Sequence, residues 1–251
     1  MEDEPNKAAA FIEVAIRELG GFDSPSRTKV LDFGCGKGQM VGALLQRGFD
    51  AYGCDIKVYW SGEQTSTAER LRTISLNPYR LPFDGKSFDV VVSTSVLEHA
   101  QNTEELFREI HKVLRPGGYS MHFYPGKWYL PCEPHIYVPL VNFFWPHCPK
   151  WWLALWALFG VRNEFQKGLA RKTVVNMNHQ FCKEGICYLT NRQYRRLSLK
   201  IFGNCSWPME FYILNGYGGF VRLFGRLPFK KLSGLLSREF RMRFLVQQKT
   251  A

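Results

Sequence analysis

Val30-Leu31-Asp32-Phe33-Gly34-Cys35-Gly36-Lys37-Gly38 decides the fold of this 251-residue chain. Lys29 to Phe33 reads as a short buried strand, and Met40 to Arg47 (MVGALLQR) is spaced as a helix. Strand, glycine loop, helix is the context that gives a glycine motif meaning. The glycines let the backbone turn sharply and approach a ligand, and the helix start offers free N–H groups. Upstream, Phe11 to Leu19 (FIEVAIREL) predicts a helix that stops at Gly20-Gly21. Downstream, Ala51 to Asp55 (AYGCD) predicts a second strand. Asp55 ends it about 20 residues after the loop, where a carboxylate accepts hydrogen bonds from ribose hydroxyls. Loop and acidic strand end together imply an adenosine-containing ligand on a doubly wound α/β sheet. They do not separate a nicotinamide dinucleotide from S-adenosylmethionine.

The following segments narrow the choice. Leu81-Pro82-Phe83-Asp84 leads into Ser87 to Ser93 (SFDVVVS), a turn and a strand, and then Val96-Leu97-Glu98-His99. Glu104 to Leu114 (EELFREIHKVL) is an amphipathic helix closed by Arg115-Pro116-Gly117-Gly118, which follows helix-termination chemistry. Tyr119 to Tyr124 (YSMHFY) is the next strand. This series resembles the class I S-adenosylmethionine-dependent methyltransferases, in particular the type 11 group that includes the ubiquinone-biosynthesis enzymes. The motifs that carry the resemblance are VLDFGCGKG, GCDIK, LPFDGKSFDVVVS, VLEH and LRPGG, over about residues 28–125.

The resemblance implies a Rossmann-like sheet of seven mostly parallel strands with helices on both faces. It implies S-adenosyl-L-methionine as cofactor and S-adenosyl-L-homocysteine as product. Asp32, Gly34, Cys35, Gly36 and Gly38 would shape the pocket for the methionine part. Asp55 would hold the ribose, with Ile56 beside it. Leu81 and Asn77 would border the adenine. Family members commonly carry an acid where Asn77 stands, so the contact would keep one carbonyl acceptor and lose its charge. Ser93 would place a backbone carbonyl near the cofactor's amino group.

Methyl transfer from a sulfonium needs an aligned acceptor, exclusion of water and, for some acceptors, removal of a proton. Three histidines fall near the carboxyl ends of the strands, where the chemistry belongs. VLEH is common to family members with different acceptors, so His99 reads first as structural or cofactor-adjacent and second as a base. His122 lies within the fifth strand, its facing open. In Glu133 to Leu140 (EPHIYVPL) two prolines stiffen a Glu–His pair in the loop that should overlie the methyl group, and a carboxylate can orient an imidazole and raise its basicity. His135 is the expected base and Glu133 its partner, against the alternative of a purely structural loop.

The rest of the chain divides as one domain, 1–251, with a cofactor-binding half at 1–126, a lid or substrate insertion at 127–188, and C-terminal helices with the last two strands at 189–251. Leu189 to Ile201 predicts a helix capped by Thr190, Pro208 to Leu214 a sixth strand, Phe220 to Leu236 a helix broken near Pro228, and Phe240 to Gln248 the last strand. Charge splits along the same line. Residues 1–120 have a net charge of −3 and residues 121–251 of +14, and six of the seven tryptophans lie in the second part. That asymmetry favours an anionic partner, or leaves a solvated basic surface. Within the insertion, Trp151 to Gly160 (WWLALWALFG) is too short to span a bilayer. It is expected either to pack as a hydrophobic lid or to lie in a membrane interface.

The expected acceptor is a small molecule, a glycan or a lipid-linked compound methylated on oxygen, with contact to an anionic membrane surface in view. A nucleic-acid acceptor is the second reading, disfavoured because Ser93-Thr94-Ser95-Val96 stands where an Asn/Asp-Pro-Pro-aromatic motif would follow the fourth strand. A cofactor-binding, non-catalytic subunit is the third. The N-terminus carries no basic segment ahead of an apolar run, which predicts a cytoplasmic protein. The seven cysteines are irregularly spaced and read as reduced thiols, and the run His179, Cys182, Cys187 lacks paired zinc-site spacing, so no metal is expected.

Overall fold

The computed structural model describes residues 4–60 and 67–250. In chain order its first part holds α1 (Glu4–Gly20), β1 (Lys29–Phe33), α2 (Gln39–Gln46), β2 (Asp50–Asp55) and β3 (Leu71–Thr73). A small hairpin follows, β4 (Ser75–Leu76) with β5 (Tyr79–Arg80), and then β6 (Phe88–Thr94), α3 (Thr103–Val113) and β7 (Leu114–Pro125). The insertion contains α4 (Val141–Phe144), α5 (Lys150–Leu158) and α6 (Arg171–Gln180), which runs into a π-type turn at Phe181–Gly185. The chain closes with α7 (Asn191–Phe202), α8 (Met209–Asn215), α9 (Gly219–Arg226), α10 (Lys230–Phe240) and β8 (Met242–Gln248).

The main sheet runs β3-β2-β1-β6-β7-β8. Its first five strands are parallel, and β8 returns antiparallel along β7. The order reverses between β1 and β6. In open α/β sheets a ligand crevice forms outside the carboxyl ends of the strands at such a point. Here the ends that meet there are the glycine loop after Phe33 and the segment Ser95–His99.

Burial on both faces explains the unbroken apolar run of β6. Val90 and Val92 join a core with Phe11 and Ile12 of α1, Leu44 of α2 and Tyr212 of α8. Val91 faces the opposite core, with Phe107 of α3 and Tyr194 of α7. A third cluster lies inside the insertion, around Ile136, Val141, Leu153 and Cys182, so the insertion carries a core of its own.

The sheet has six strands among the described residues, not seven. Pro208 to Leu214, expected as the sixth strand, forms α8, so residues 189–251 supply one strand rather than two. Its buried residues Met209, Tyr212 and Ile213 recur at helical spacing and cover the first core. A short apolar run of this kind does not distinguish strand from helix by itself. What remains of the strand is Ser206, whose N–H donates to the Val246 carbonyl at 3.0 Å and whose carbonyl accepts from the Val246 N–H at 2.9 Å. The capped helix agrees with expectation, since Thr190 Oγ1 accepts from the Gln193 N–H. So does the break at Pro228, which separates α9 from α10.

His122 faces inward. Its Nδ1 lies 2.7 Å from Ser93 Oγ, its Nε2 bonds Ser120 Oγ, and the ring stacks on Phe107. Burial pushes its pKa down to about 3 from 6.5. A histidine with a depressed folded-state pKa gives full stability above pH 6.5 and loses it as the pH falls towards 3, because the unfolded chain takes up the proton first. Between pH 7 and pH 5 the wild type should therefore lose about 2 kcal/mol more in urea unfolding than His122→Gln. Parallel pH curves for the two proteins would contradict this.

Candidate active site

The donor side is built by the glycine loop folding over the end of β2. The N–H groups of Gly34 and Cys35 both donate to the Cys54 carbonyl, at 2.8 and 3.1 Å, and the Gly38 N–H closes a turn onto Cys35. Gly34 has a φ of +79°, and a Cβ there would stand 2.3 Å from Val96. Only glycine allows both that backbone angle and that approach. Gly36 (φ +53°) differs: a Cβ there would meet nothing within 4 Å, so this side of the loop faces open space. Asp55 ties the loop down, its Oδ2 accepting from the Gly36 N–H at 2.9 Å and its Oδ1 from the Lys57 N–H at 3.3 Å. Both oxygens of its carboxylate thus bond backbone N–H groups at the end of β2.

Asp32, at the penultimate position of β1, is buried, and its pKa is pushed up to about 7 by burial and then by the charge of Asp55. Two buried carboxylates side by side lack a positive charge. An ammonium or sulfonium group would supply it, so these residues fit a cationic methionine-type ligand better than a dinucleotide phosphate.

The other residues expected at the cofactor are placed as follows. Ile56 is half exposed directly after Asp55, and Asn77 is exposed in the turn of the β4–β5 hairpin, preceding a cis proline. Leu81 is buried in the second core, its N–H donating to Glu109, so its side chain borders packing. The Cys35 side chain packs in the first core. Ser93 is fully buried with its hydroxyl turned to His122.

The acceptor side gathers residues distant in sequence. After β6 the chain makes a 3₁₀ turn, Leu97–His99. Val96, the residue against Gly34, immediately precedes it, which puts the turn beside the glycine loop. His99 Nδ1 bonds the Gly185 carbonyl at 2.5 Å, and its Nε2 lies 3.2 Å from His135 Nε2. His135 Nδ1 bonds Glu133 Oε1 at 2.7 Å, and the other oxygen of Glu133 accepts the N–H groups of His135 and Ile136. Tyr188 donates its hydroxyl to Glu133 Oε1 at 3.0 Å. Burial disfavours the charged form of His135, but the Glu133 hydrogen bond, then the charges of Glu133 and Glu98, outweigh it and raise the pKa. Burial lowers that of His99.

Glu133, His135 and His99 therefore come together, while His122 belongs to the core. Three members escaped sequence reasoning. Glu98 was visible only as a letter in VLEH, and it is wholly buried with its pKa pushed up to about 8, chiefly by burial. Tyr188 and the Gly185 carbonyl come from the far end of the insertion, where no local pattern marked them. His179, Cys182 and Cys187 do not converge among the described residues. Cys182 packs in the lid core beside Cys148.

Residues 31–121 match the family described as a methyltransferase domain. A sterol 24-C-methyltransferase from Gibberella zeae is 32% identical over 97 residues, 36% of this chain and 26% of that protein. A ubiquinone biosynthesis O-methyltransferase from Pseudomonas aeruginosa is 33% identical over 101 residues, 36% of this chain and 41% of that protein. The chain thus spans about a quarter to two-fifths of the length of these curated relatives. Among solved structures, a geranyl diphosphate C-methyltransferase from Streptomyces coelicolor superposes with a TM-score of 0.51 at 14% identity, covering 97% of this chain and 78% of the other. That likeness bears on the fold.

A cationic cofactor stabilises ionised Asp32, so cofactor affinity should fall with acidification. For S-adenosylmethionine, calorimetry should show binding about eightfold weaker at pH 6 than at pH 7.5 in the wild type relative to the change in Asp32→Asn. Equal pH dependence in both would remove Asp32 from the cofactor site. Taken with the sheet order, residues 31–121 match the methyltransferase-domain family on a sheet of the Rossmann-like kind.

Proposed function

We propose that the chain transfers the methyl group of S-adenosylmethionine to an oxygen of a small-molecule, glycan or lipid-linked acceptor held under the 127–188 insertion. The acceptor oxygen attacks the methyl carbon, the carbon–sulfur bond breaks, S-adenosylhomocysteine leaves as a neutral thioether, and the acceptor's proton passes to the His135 imidazole. The observation that carries this reading is the Glu133–His135–His99 array beside the glycine loop. Glu133 fixes the tautomer of His135 and raises its proton affinity, which suits the imidazole to take the proton of an O–H acceptor. The relatives are named for reactions at carbon, at nitrogen and at oxygen, so the choice of oxygen rests on this array.

The outer face of the insertion supports an amphipathic, anionic acceptor or surface. A groove of about 880 Å³ lies between α5 and α6, walled by Trp151, Leu155 and Leu158 and rimmed by Lys150, Arg171 and Lys172. Phe159 and Phe165 are 71% and 87% exposed nearby in sequence. Apolar bodies with a basic rim suit an anionic membrane interface or a phosphate-bearing lipid. No helix among the described residues is long and apolar enough to cross a membrane.

Labelled S-adenosylmethionine should deliver its methyl group to lipid extract or to a member of a phenol and sugar panel. Label in RNA alone would sink the reading. His135→Ala should lower turnover by about 10²-fold or more, as loss of a general base does. Cofactor affinity should stay within about twofold, since general acid–base catalysis acts at the transition state. Unchanged turnover would remove His135 as the base.

A further inference from the structure

The two imidazoles of the acceptor side meet in an arrangement that is incomplete as it stands. The Gly185 carbonyl can only accept, so His99 carries its proton on Nδ1. The Glu133 carboxylate likewise takes the Nδ1 proton of His135. In both neutral rings the Nε2 lone pair is then free, and the two lone pairs face each other across 3.2 Å. Beside them lies Glu98, fully buried, with neither carboxylate oxygen bonded to anything. Its Oε1 is 3.9 Å from His135 Nε2, and one ligand atom from each of Glu98, His99 and His135 falls within 4.8 Å of the others. A buried carboxylate without a partner is costly, and two facing lone pairs repel. A positive charge at the centre of the three groups resolves both.

We propose that Glu98, His99 and His135 bind a divalent first-row transition ion of the Zn²⁺ or Fe²⁺ type, leaving open positions towards the acceptor cavity. Tetrahedral bonds of about 2.0–2.1 Å set ligand atoms about 3.4 Å apart, so the His99–His135 edge is already in place, and the Glu98 carboxylate closes the remaining edges from 3.9 Å and up to 4.8 Å by a side-chain shift of about 1.5 Å. Two nitrogens and one carboxylate select a borderline ion over Mg²⁺ or Ca²⁺, which prefer all-oxygen sets. The surrounding bonds are those that ligating histidines use: each Nδ1–H donates to a carbonyl or a carboxylate, and Tyr188 supports Glu133 in turn. The π-type turn that presents Gly185 to His99 exists only in the folded insertion. The site therefore joins the sheet and the lid.

The site rests on the acceptor-side reading for its purpose, not for its existence. The ion and a proton taken up by His135 compete for the same Nε2 lone pair, so the metal-bound state and the general-base state exclude each other. With the ion bound, lowering the proton affinity of an acceptor hydroxyl passes from the His135 imidazole to the metal.

Equilibrium dialysis of the folded protein against Zn²⁺, without cofactor or acceptor, should leave one ion per chain. Co²⁺ should give the visible absorption of a low-coordinate nitrogen–oxygen site. His135→Ala and Glu98→Gln should each weaken Zn²⁺ binding at least tenfold, in line with loss of a ligand, while circular dichroism and cofactor affinity stay unchanged. Cys182→Ser should bind as the wild type does. No stoichiometric ion in the wild type, or equal binding by the His135 and Glu98 variants, would overturn the metal site and leave the methyl-transfer reading standing. Metal binding without methyl transfer to any acceptor would leave the site standing and sink that reading.

Discussion

One carbonyl oxygen, that of Cys54, sets the geometry of the donor side. It accepts two consecutive N–H groups, from Gly34 and Cys35, and so bends the chain leaving β1 across the end of β2. The bend brings the Gly36 N–H onto Asp55 and sets Gly34 against Val96. The first contact joins the loop to the acidic strand end. The second joins it to the turn that carries Glu98 and His99. Donor side and acceptor side thus meet at one loop only a few residues long, located where the strand order reverses. A side chain at Gly34 would separate them.

The acceptor side depends on a second tie. The Cys187 N–H donates to the Glu98 carbonyl, and Gly185 receives His99, so the end of the insertion is bonded to the turn after β6. The beginning of the insertion delivers Glu133 and His135 to the same place. Its own core, around Val141, Leu153 and Cys182, lets it hold this form as a packed unit rather than as a flexible flap. The lid's outer aromatic surface is exposed because that core takes up only one face of α5, through Leu153 and Ala157.

The glycine loop and its strand and helix were legible in the sequence because they are local. Glycines forced by left-handed φ values, an aspartate at a strand end and a Pro-Gly-Gly stop each declare themselves within a few residues. The fold class followed from their order. Failures came where meaning depends on partners elsewhere. Pro208 to Leu214 reads as apolar strand or apolar helix, and the covering of the first core decides for α8. His122 reads as a candidate base until its two serine partners place it inside the sheet. Leu81 carries a motif letter, yet its side chain serves the second core. Glu133 and His135 stood out through the rigid Pro-flanked loop. Glu98, Tyr188 and Gly185 did not, since their roles arise from contacts to residues far along the chain: Glu98 with His135, Tyr188 with Glu133 and Gly185 with His99. The basic, aromatic character of the second half was plain, but composition does not say which face carries it.

A cationic donor over Asp32 and Asp55, with its reactive end directed to the Glu98–His99–His135 cluster, is open to a direct check by a crystal structure with S-adenosylhomocysteine bound. The ribose is expected on Asp55, the amino acid end along the open side of Gly36 near Asp32, and the sulfur towards the histidine pair beneath the insertion. Density for the product elsewhere, or a sulfur turned away from His99 and His135, would contradict that arrangement.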